Sequence, residues 1–119
     1  MIKFGYAQEN ITPKRGIPLC GYFEPRPNVG AHDPLMVKAA VFECNGVKGG
    51  ILSYDLCLVP RSVVKFFIEE LKNAGIDFAD NLLFSATHTH TGPYMGMDFS
   101  VHLRTILKRQ PSFGLSCFF

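Results

Sequence analysis

Residues 47–86 show the pattern of a strand, a helix and a second strand, and this order constrains the fold more than any other feature. Residues 47–54 have strand character, and the apolar run 81–86 predicts a buried strand. Residues 60–74 between them repeat apolar residues at helical spacing. Two strands joined by a helical crossover are parallel in nearly all known cases. We therefore expect an α/β fold in which both strands end at the same edge of one sheet.

The crossover segment predicts a helix that packs against the sheet. Pro60 suits the first turn of a helix, and Gly75 is placed to end it. The apolar stripe consists of Val63, Val64, Phe67, Ile68, Leu71 and Ala74. A stripe of this width indicates core packing, and we assign it no other role.

A β-hairpin is expected before the crossover. Residues 37–44 alternate as a strand, with Val37, Ala39 and Val41 on one face. Asn45-Gly46 is the strongest short signal for a two-residue hairpin turn, and residues 47–54 form the returning strand. Within that strand, Gly49-Gly50 suggests a bulge. The fold class is thus a mixed sheet with a hairpin and one crossover.

The N-terminal third predicts a short strand followed by a long irregular segment. Residues 3–9 can form the strand, and residues 10–34 are rich in proline and glycine. Irregular segments of this length in compact domains are functional or disordered, and the apolar residues of this one argue against simple disorder. Two interpretations remain open, a wall over a binding site and a surface loop pinned by proline.

Composition excludes several classes of protein. A chain of 119 residues with 47% hydrophobic residues can build the core of one domain at most. A net charge of +2 gives no case for nucleic-acid binding. No apolar run reaches transmembrane length, and the N-terminus lacks a secretory signal, so a cytoplasmic location is expected.

The cysteines form no C-x-x-C pair and are expected to be reduced thiols. They are Cys20, Cys44, Cys57 and Cys117.

Two histidines follow the last predicted strand. On an extended backbone His88 and His90 point to the same side, so both imidazoles can face one point. Neutral imidazole is the commonest protein ligand for zinc, which it binds at about 2.0–2.1 Å. Gly92-Pro93 breaks the strand and places the pair on the rim of the sheet. The pair alone fits polar residues at a strand end equally well, but its small and hydroxylated neighbours favour a metal site.

Asp55 is the second candidate at this edge. It follows the strand that is expected to lie parallel to the one before His88, and open α/β sheets bind ligands at such carboxyl ends. Its carboxylate can orient an imidazole or a metal-bound water, or it can cap a helix or anchor a loop. The cluster His32-Asp33-Pro34-Leu35 by itself predicts a turn.

Several segments, taken in order over residues 4–93, resemble the N-terminal domain of neutral/alkaline non-lysosomal ceramidases. They are Gly5-Tyr6-Ala7, Asn10-Ile11-Thr12-Pro13, Pro18-Leu19-Cys20-Gly21-Tyr22, His32-Asp33-Pro34-Leu35, Lys38-Ala39-Ala40-Val41-Phe42, Ser53-Tyr54-Asp55-Leu56 and Ala86-Thr87-His88-Thr89-His90-Thr91-Gly92-Pro93. The last is the most specific, because the family carries Thr-His-Thr-His-Ser-Gly-Pro there and Thr91 keeps the hydroxyl.

The resemblance implies a zinc amidase that cleaves the N-acyl bond of ceramide, giving sphingosine and a fatty acid. It implies that His88 ligates catalytic Zn²⁺ and that His90 is a catalytic group on the substrate side. It further implies that Gly21 and His32 lie at the substrate pocket, and Asp55 is added as a second catalytic candidate. Zinc in such a site polarises the amide carbonyl and activates a water for attack.

The resemblance also implies an incomplete site. Family members are several times longer, and their remaining zinc ligands, a histidine, a glutamate and a tyrosine, lie far downstream. Residues 1–99 therefore match an N-terminal segment of a larger catalytic domain, whereas residues 100–119 form a divergent tail that indicates a truncated or frame-shifted end. The isolated chain is expected to be inactive, to bind zinc weakly and to self-associate through uncovered apolar surface.

Two other functions remain open from the sequence. One is a non-catalytic module that keeps the sheet, and the other is a metallohydrolase with another amide or ester substrate. A long acyl chain needs an apolar groove, and the candidate residues serve equally well as core or interface. These candidates are Phe23, Leu35, Tyr94, Met95, Met97 and Phe99.

Overall fold

A four-stranded mixed β-sheet with one helix against it forms the structure of residues 1–94, which are the residues that the computed structural model describes. The strands are β1 (Ile2–Asn10), β2 (Met36–Cys44), β3 (Val47–Tyr54) and β4 (Leu82–Ala86). The helix α1 spans Arg61–Asn73, and a short 3-10 helix spans Ala79–Asn81. The divergent tail and the groove candidates Met95, Met97 and Phe99 lie outside the described residues.

The sheet has the strand order β1-β2-β3-β4, which confirms the predicted fold class. The β1–β2 and β2–β3 pairs are antiparallel, and the β3–β4 pair is parallel. Asn45 and Gly46 have φ angles of 50° and 80°, as the two-residue hairpin turn between β2 and β3 requires. The parallel register aligns Tyr54 with Ala86, so the last residues of β3 and β4 are neighbours at one edge.

Helix α1 covers one face of the sheet and agrees with the predicted bounds to within one residue at each end. Gly75 ends it with a φ of 87°, a left-handed conformation that glycine adopts without strain. The contact with the sheet is aromatic, since the rings of Tyr54 and Phe67 stack with centroids 5.9 Å apart and Phe84 stacks on Phe67 at 6.3 Å. These rings lie in or against the main core, which also contains Ile11, Val37, Ala39, Leu52 and Leu56.

The bulge expected at Gly49-Gly50 is absent, because the register between β2 and β3 runs without interruption from Phe42 opposite Gly49 to Val41 opposite Gly50. The glycines are explained by close backbone approach instead. A Cβ on Gly50 would lie 2.5 Å from the Ala40 carbonyl oxygen, and one on Gly49 would lie 3.1 Å from the Asn81 carbonyl oxygen. Glycine at these two positions therefore lets the neighbouring backbone of Ala40 and Asn81 lie close to β3.

Within residues 1–94, β4 is an edge strand of the sheet, and the predicted burial of this strand was wrong. Leu82, Phe84 and Ala86 are half-buried on the side of α1, whereas Leu83 on the opposite side is 61% exposed. The sequence pattern is apolar on both faces, but α1 covers only one of them.

Among the described residues, the side of the sheet away from α1 carries a large cluster of exposed apolar side chains. The register places Tyr6, Ala40, Ile51 and Leu83 in one row across all four strands. Large exposed side chains on this face are Ile2, Phe4, Tyr6, Phe42, Val47, Ile51 and Leu83. We call this surface the open sheet face. It agrees with the expectation of uncovered apolar surface, and exposed patches of this kind mark interaction surfaces.

Residues 11–35 form the predicted irregular segment, which hydrogen bonds hold in place. Inside the segment, the Leu19 N–H donates to the Arg26 carbonyl at 2.8 Å, and the Gly16 N–H donates to the Asn28 carbonyl at 2.9 Å. The segment also pairs with the chain after β4 through a bridge between Leu19 and Pro93. It is therefore a fixed wall beside the carboxyl edge of the sheet. Within the described part of the chain, no helix has the length and apolar character needed to cross a membrane.

Candidate metal site beside a polar cleft

The candidate site lies at the carboxyl edge of β3 and β4, where the sequence places it. Asp55 follows β3, and His88 and His90 follow β4. The Thr87 N–H donates to the Tyr54 carbonyl at 2.9 Å, which carries the pairing of the two strands one residue past β4. The parallel arrangement of β3 and β4 thus brings the three predicted residues to one edge, as expected.

The two imidazoles face each other through their Nε2 atoms, which lie 3.4 Å apart. His88 Nδ1 lies 2.8 Å from the Cys57 carbonyl oxygen. A carbonyl oxygen only accepts, so in the neutral ring Nδ1 of His88 carries the proton and Nε2 keeps the free lone pair. The Nε2–Nε2 contact is then either a hydrogen bond donated by His90 or one edge of a metal site.

The chemistry and spacing of the two imidazoles fit zinc. Two nitrogen ligands at about 2.0–2.1 Å from a tetrahedral ion lie roughly 3.3–3.4 Å from each other. The observed separation of 3.4 Å agrees with this value. The hydrogen bond from His88 to the Cys57 carbonyl is the kind of contact that fixes the tautomer and orientation of a ligating histidine.

The histidines converge for a different reason from the one that the sequence suggested. Extended backbone ends at Ala86, and His88 has a φ of 62°, in the left-handed region. The chain therefore turns at His88, and the rings of His88 and His90 face each other across this turn. Positive φ in a residue other than glycine is uncommon, and such residues cluster at functional sites.

Gly21 lies directly against the His90 ring. A Cβ on Gly21 would come within 2.5 Å of both Cγ and Nδ1 of His90, and the φ of Gly21 is 84°. The preceding residue is tied to the same segment, since the Cys20 N–H donates to the Gly92 carbonyl at 2.9 Å. The resemblance predicted Gly21 near the pocket, and the structure places it where only glycine leaves room for the ring.

Cys57 is the neighbour that sequence reasoning missed. Its buried Sγ lies 3.8 Å from His88 Nδ1, and one ligand atom from each of Cys57, His88 and His90 lies within 4.8 Å of the others. The position of Cys57, three residues after the end of β3, was the signal available in the sequence.

Cys20 lies beside Cys57. Burial raises the pKa of the Cys20 thiol, and the hydrogen bond and the charge of Cys57 raise it further. Among the described residues Cys20, Cys44 and Cys57 are free thiols, and Cys117 lies outside the described residues.

A cleft of about 740 Å³ with both polar and apolar lining residues opens between the irregular segment and the same sheet edge. Its lining includes Thr87, Thr89 and Thr91, which alternate along the chain with the two histidines. His32 is at its rim, where its exposed Nδ1 lies 3.1 Å from the Asp33 carboxylate. The cleft is thus lined by chain neighbours of the histidine pair and not by the two imidazoles, and the predicted substrate-binding residue His32 belongs to it.

Asp55 lines the cleft and is bonded to Met36, the first residue of β2, which directly follows the irregular segment. Its Oδ2 accepts a hydrogen bond from the Met36 N–H at 3.0 Å, and its own N–H donates to the Met36 carbonyl at 2.9 Å. Among the described residues, no hydrogen bond joins Asp55 to either imidazole. The observed contact is thus the loop-anchoring alternative, and a catalytic role for Asp55 stays a prediction.

The groove candidates are dispersed in the structure. Phe23 is fully exposed, and Tyr94 is 61% exposed. Leu35 is partly buried against the main core and also lines the cleft. The described candidates therefore do not form one apolar groove, and only Leu35 reaches the cleft.

Comparison with solved structures shows a ceramidase-like fold. The chain is similar to part of the crystal structure of neutral ceramidase from Pseudomonas aeruginosa, with a TM-score of 0.73 and 26% identity, over 78% of this chain and 16% of that chain. It is similar in the same way to a ceramidase complexed with C2, with a TM-score of 0.71 and 27% identity, over 78% of this chain and 15% of that one. The chain thus spans a small part of the length of the structures that it matches. No protein-family model and no curated protein matches the sequence.

Proposed function

We propose that this chain supplies part of the active site of a zinc-dependent amidohydrolase that cleaves the N-acyl bond of ceramide-like sphingolipids. The observation that carries the proposal is the pair of Nε2 atoms 3.4 Å apart at the carboxyl edge of a ceramidase-like sheet. Zinc, when bound, would polarise the amide carbonyl and lower the pKa of a bound water.

The residues of the site have separate roles in this proposal. His88 binds zinc through Nε2, and its Nδ1–H to the Cys57 carbonyl holds the ring in place. His90 faces the same point and is the second catalytic residue, with Gly21 fixing the position of its ring. Asp55 holds the wall of the cleft against the sheet edge through Met36.

The substrate would bind in this cleft. His32 and Asp33 at the rim, together with the threonine hydroxyls of the wall, offer hydrogen-bond partners for the hydroxyl and amide groups of a sphingolipid. Thr87, Thr89 and Thr91 line the cleft and alternate along the chain with His88 and His90, so a bound sphingolipid would lie against the segment that carries the histidine pair.

A chimaera tests the proposal without depending on activity of the isolated chain. In the neutral ceramidase of Pseudomonas aeruginosa, the matched segment is replaced by residues 1–94 of this chain. We expect the chimaera to retain zinc by elemental analysis and to hydrolyse a fluorescent N-acyl sphingosine. The same chimaera with His88→Ala should lose both properties, because a direct zinc ligand is removed.

The outcomes separate the proposal from the other two functions. Full zinc occupancy and unchanged turnover in the His88→Ala chimaera would reject the site. Hydrolysis of short amides or esters without hydrolysis of the sphingolipid would favour a metallohydrolase of different specificity. Loss of turnover in the unmodified chimaera, with its folding intact, would favour a non-catalytic module.

A further inference from the structure

We propose that Cys20 and Cys57 form a reversible disulfide that ties the irregular segment to the carboxyl edge of β3 and makes the histidine pair sensitive to oxidation. The two thiols are free in the structure, and the zinc site of the proposed function uses neither sulfur atom. The inference adds regulation to that site. Only this regulatory meaning rests on the proposed function, because the pairing of the cysteines needs neither zinc nor substrate.

The two thiols are neighbours inside the protein. A hydrogen bond joins the side chains of Cys20 and Cys57. Both residues are buried, so only a small oxidant reaches them. Cysteines that are held apart cannot be bridged without backbone movement, whereas these two sulfurs are already in contact.

Backbone contacts keep the two cysteines together independently of the thiol contact. The Cys20 N–H donates to the Gly92 carbonyl at 2.9 Å. Gly92 packs on the residues before Cys57, because a Cβ on Gly92 would lie 3.2 Å from the Asp55 carbonyl oxygen and 3.5 Å from Leu56 Cα. Both cysteines lie outside the helices and strands, so loops make the adjustment to an S–S bond of about 2.03–2.05 Å.

The disulfide would join the supports of both imidazoles. Gly21 follows Cys20 and lies against the His90 ring, where a Cβ would be 2.5 Å from the ring Cγ. On the other side, His88 Nδ1 lies 2.8 Å from the Cys57 carbonyl oxygen and 3.8 Å from the Cys57 sulfur. Bond formation draws the two sulfurs together and moves these supports. The oxidation state of the cysteines therefore sets how the two rings are placed.

Hydrogen peroxide, a small two-electron oxidant, balances the reaction. One sulfur attacks a peroxide oxygen, the O–O bond breaks, and the products are a sulfenic acid and one water. The second sulfur then displaces the hydroxyl group as a second water, and the S–S bond forms. The two thiols lose two protons and two electrons in total. A dithiol reductant reverses the reaction by exchange, and in a reducing compartment the pair stays as thiols until the oxidant is present.

Peptide mapping identifies the pairing, because trypsin places each cysteine on a separate peptide. Cys20 falls in residues 16–38, since trypsin does not cleave between Arg26 and Pro27, and Cys57 falls in residues 49–61. The full 119-residue chain is treated with hydrogen peroxide under native conditions, alkylated and digested without reductant. We expect a cross-linked product that joins these two peptides and that dithiothreitol separates.

Two variants and the unfolded chain are the controls. Cys57→Ser should abolish the native cross-link. Cys44→Ser makes the same change at an exposed thiol of β2 and should leave the yield of the cross-link unchanged. In urea, loop-closure entropy favours cysteines that are close in sequence, so pairing of Cys44 with Cys57 should then compete with the native pair.

Magnetic resonance of the imidazoles tests the link to the site. In proton–nitrogen correlation spectra of the metal-free chain, the ring signals of His88 and His90 should shift on oxidation and return with dithiothreitol. His32 is the internal control, because its ring is exposed at the rim of the cleft, and its signals should stay unchanged.

Each outcome supports or overturns the inference. A native cross-link between Cys20 and Cys57, together with shifted signals of His88 and His90, supports it. Cross-links through Cys44 or Cys117 instead, thiols that stay free, or thiols oxidised to acids without a cross-link overturn the pairing. A Cys20–Cys57 cross-link with unchanged ring signals overturns the control of the site. Zinc and substrate are absent from these measurements, so the chimaera decides the proposed function separately.

Discussion

At the scale of single residues, the site depends on two unusual backbone conformations. His88 has a φ of 62° and Gly21 has a φ of 84°. The first residue carries a side chain in a region that costs about 1–2 kcal/mol for an ordinary residue, which a metal-binding role would explain. The second has no side chain, and its backbone lies against the His90 ring. The two conformations together bring the imidazoles to one point.

Gly21→Ala should therefore disturb the site beyond its effect on stability. Its methyl group would overlap the His90 ring at 2.5 Å, so the ring must move away from His88. Gly16→Ala is the matched control, because Gly16 has a φ of 90° and nothing lies within 4 Å of its Cβ position. Both variants should lose about 1–2 kcal/mol of unfolding free energy from the backbone alone, measured by urea denaturation.

Turnover distinguishes the two glycine variants. Hydrolysis by the chimaera should fall by at least about tenfold in Gly21→Ala and stay near that of the unmodified chimaera in Gly16→Ala, since a ring displaced by about 1 Å no longer meets the geometry of the site. Equal turnover in both variants would show that the contact between Gly21 and His90 does not position the ring.

At the scale of secondary-structure elements, the layer between α1 and the sheet is a closed aromatic stack. Tyr54 at the end of β3 lies against Phe67 of α1 and Phe84 of β4. Its side chain is almost completely buried, and this desolvation raises the pKa of the Tyr54 hydroxyl above its ordinary value of 10.0. Packing of the helix on the sheet is thereby linked to the protonation of one hydroxyl.

The unfolding free energy should decrease as the pH rises above about 10. In the unfolded chain Tyr54 loses its proton near its ordinary pKa of 10.0, whereas in the folded chain it keeps the proton. The folded state then binds more protons, so stability falls by up to about 1.4 kcal/mol per pH unit from this group. Tyr54→Phe should reduce the slope by that amount in urea denaturation at several pH values.

Tyr6→Phe is the control for the alkaline decrease, because Tyr6 is half-exposed on the open sheet face and its change removes the same hydroxyl. Its slope above pH 10 should match that of the unmodified chain. Equal slopes in both variants would show that burial of Tyr54 does not govern the alkaline decrease.

The sequence predicted the elements well where local signals and topology agree. The hairpin turn at Asn45-Gly46, the helix and the parallel crossover all follow from turn chemistry, spacing and handedness. The prediction of burial for β4 was wrong, because an apolar pattern does not show which neighbour covers each face. The prediction of a bulge was wrong because glycine serves close approach as well as irregular pairing.

The candidate site was predicted in part and for an incomplete reason. The edge shared by Asp55, His88 and His90 follows from the parallel pairing of β3 and β4. The convergence of the two imidazoles, by contrast, was predicted from an extended backbone, whereas His88 has a positive φ. A turn with positive φ at a histidine has no reliable sequence signal. Cys57 was missed because its nearness to His88 arises from two loops that are far apart in sequence.

At the scale of the whole molecule, the described chain is a sheet with one bare side. Helix α1 buries one face, and the open sheet face keeps Phe4, Phe42 and Ile51 between 44% and 60% exposed. The register places Lys38 in a polar row with Gln8, Ser53 and Ser85, at one end of the apolar surface. An apolar face of this kind can associate with a second copy of itself without an unpaired charge in its centre.

We therefore expect the full chain to self-associate through the open sheet face. Sedimentation velocity should show species larger than a monomer, and their fraction should rise with protein concentration. Phe42→Lys places a charge at the centre of the face, beside Phe4, and should shift the chain toward monomer because a buried unpaired charge is costly. Phe23→Lys is the matched control, since Phe23 is fully exposed in the irregular segment away from the sheet. It should leave the distribution of sedimenting species unchanged.

A monomer at all concentrations with a cooperative thermal transition would contradict the prediction. An equal shift in both variants would mean that the association uses another surface.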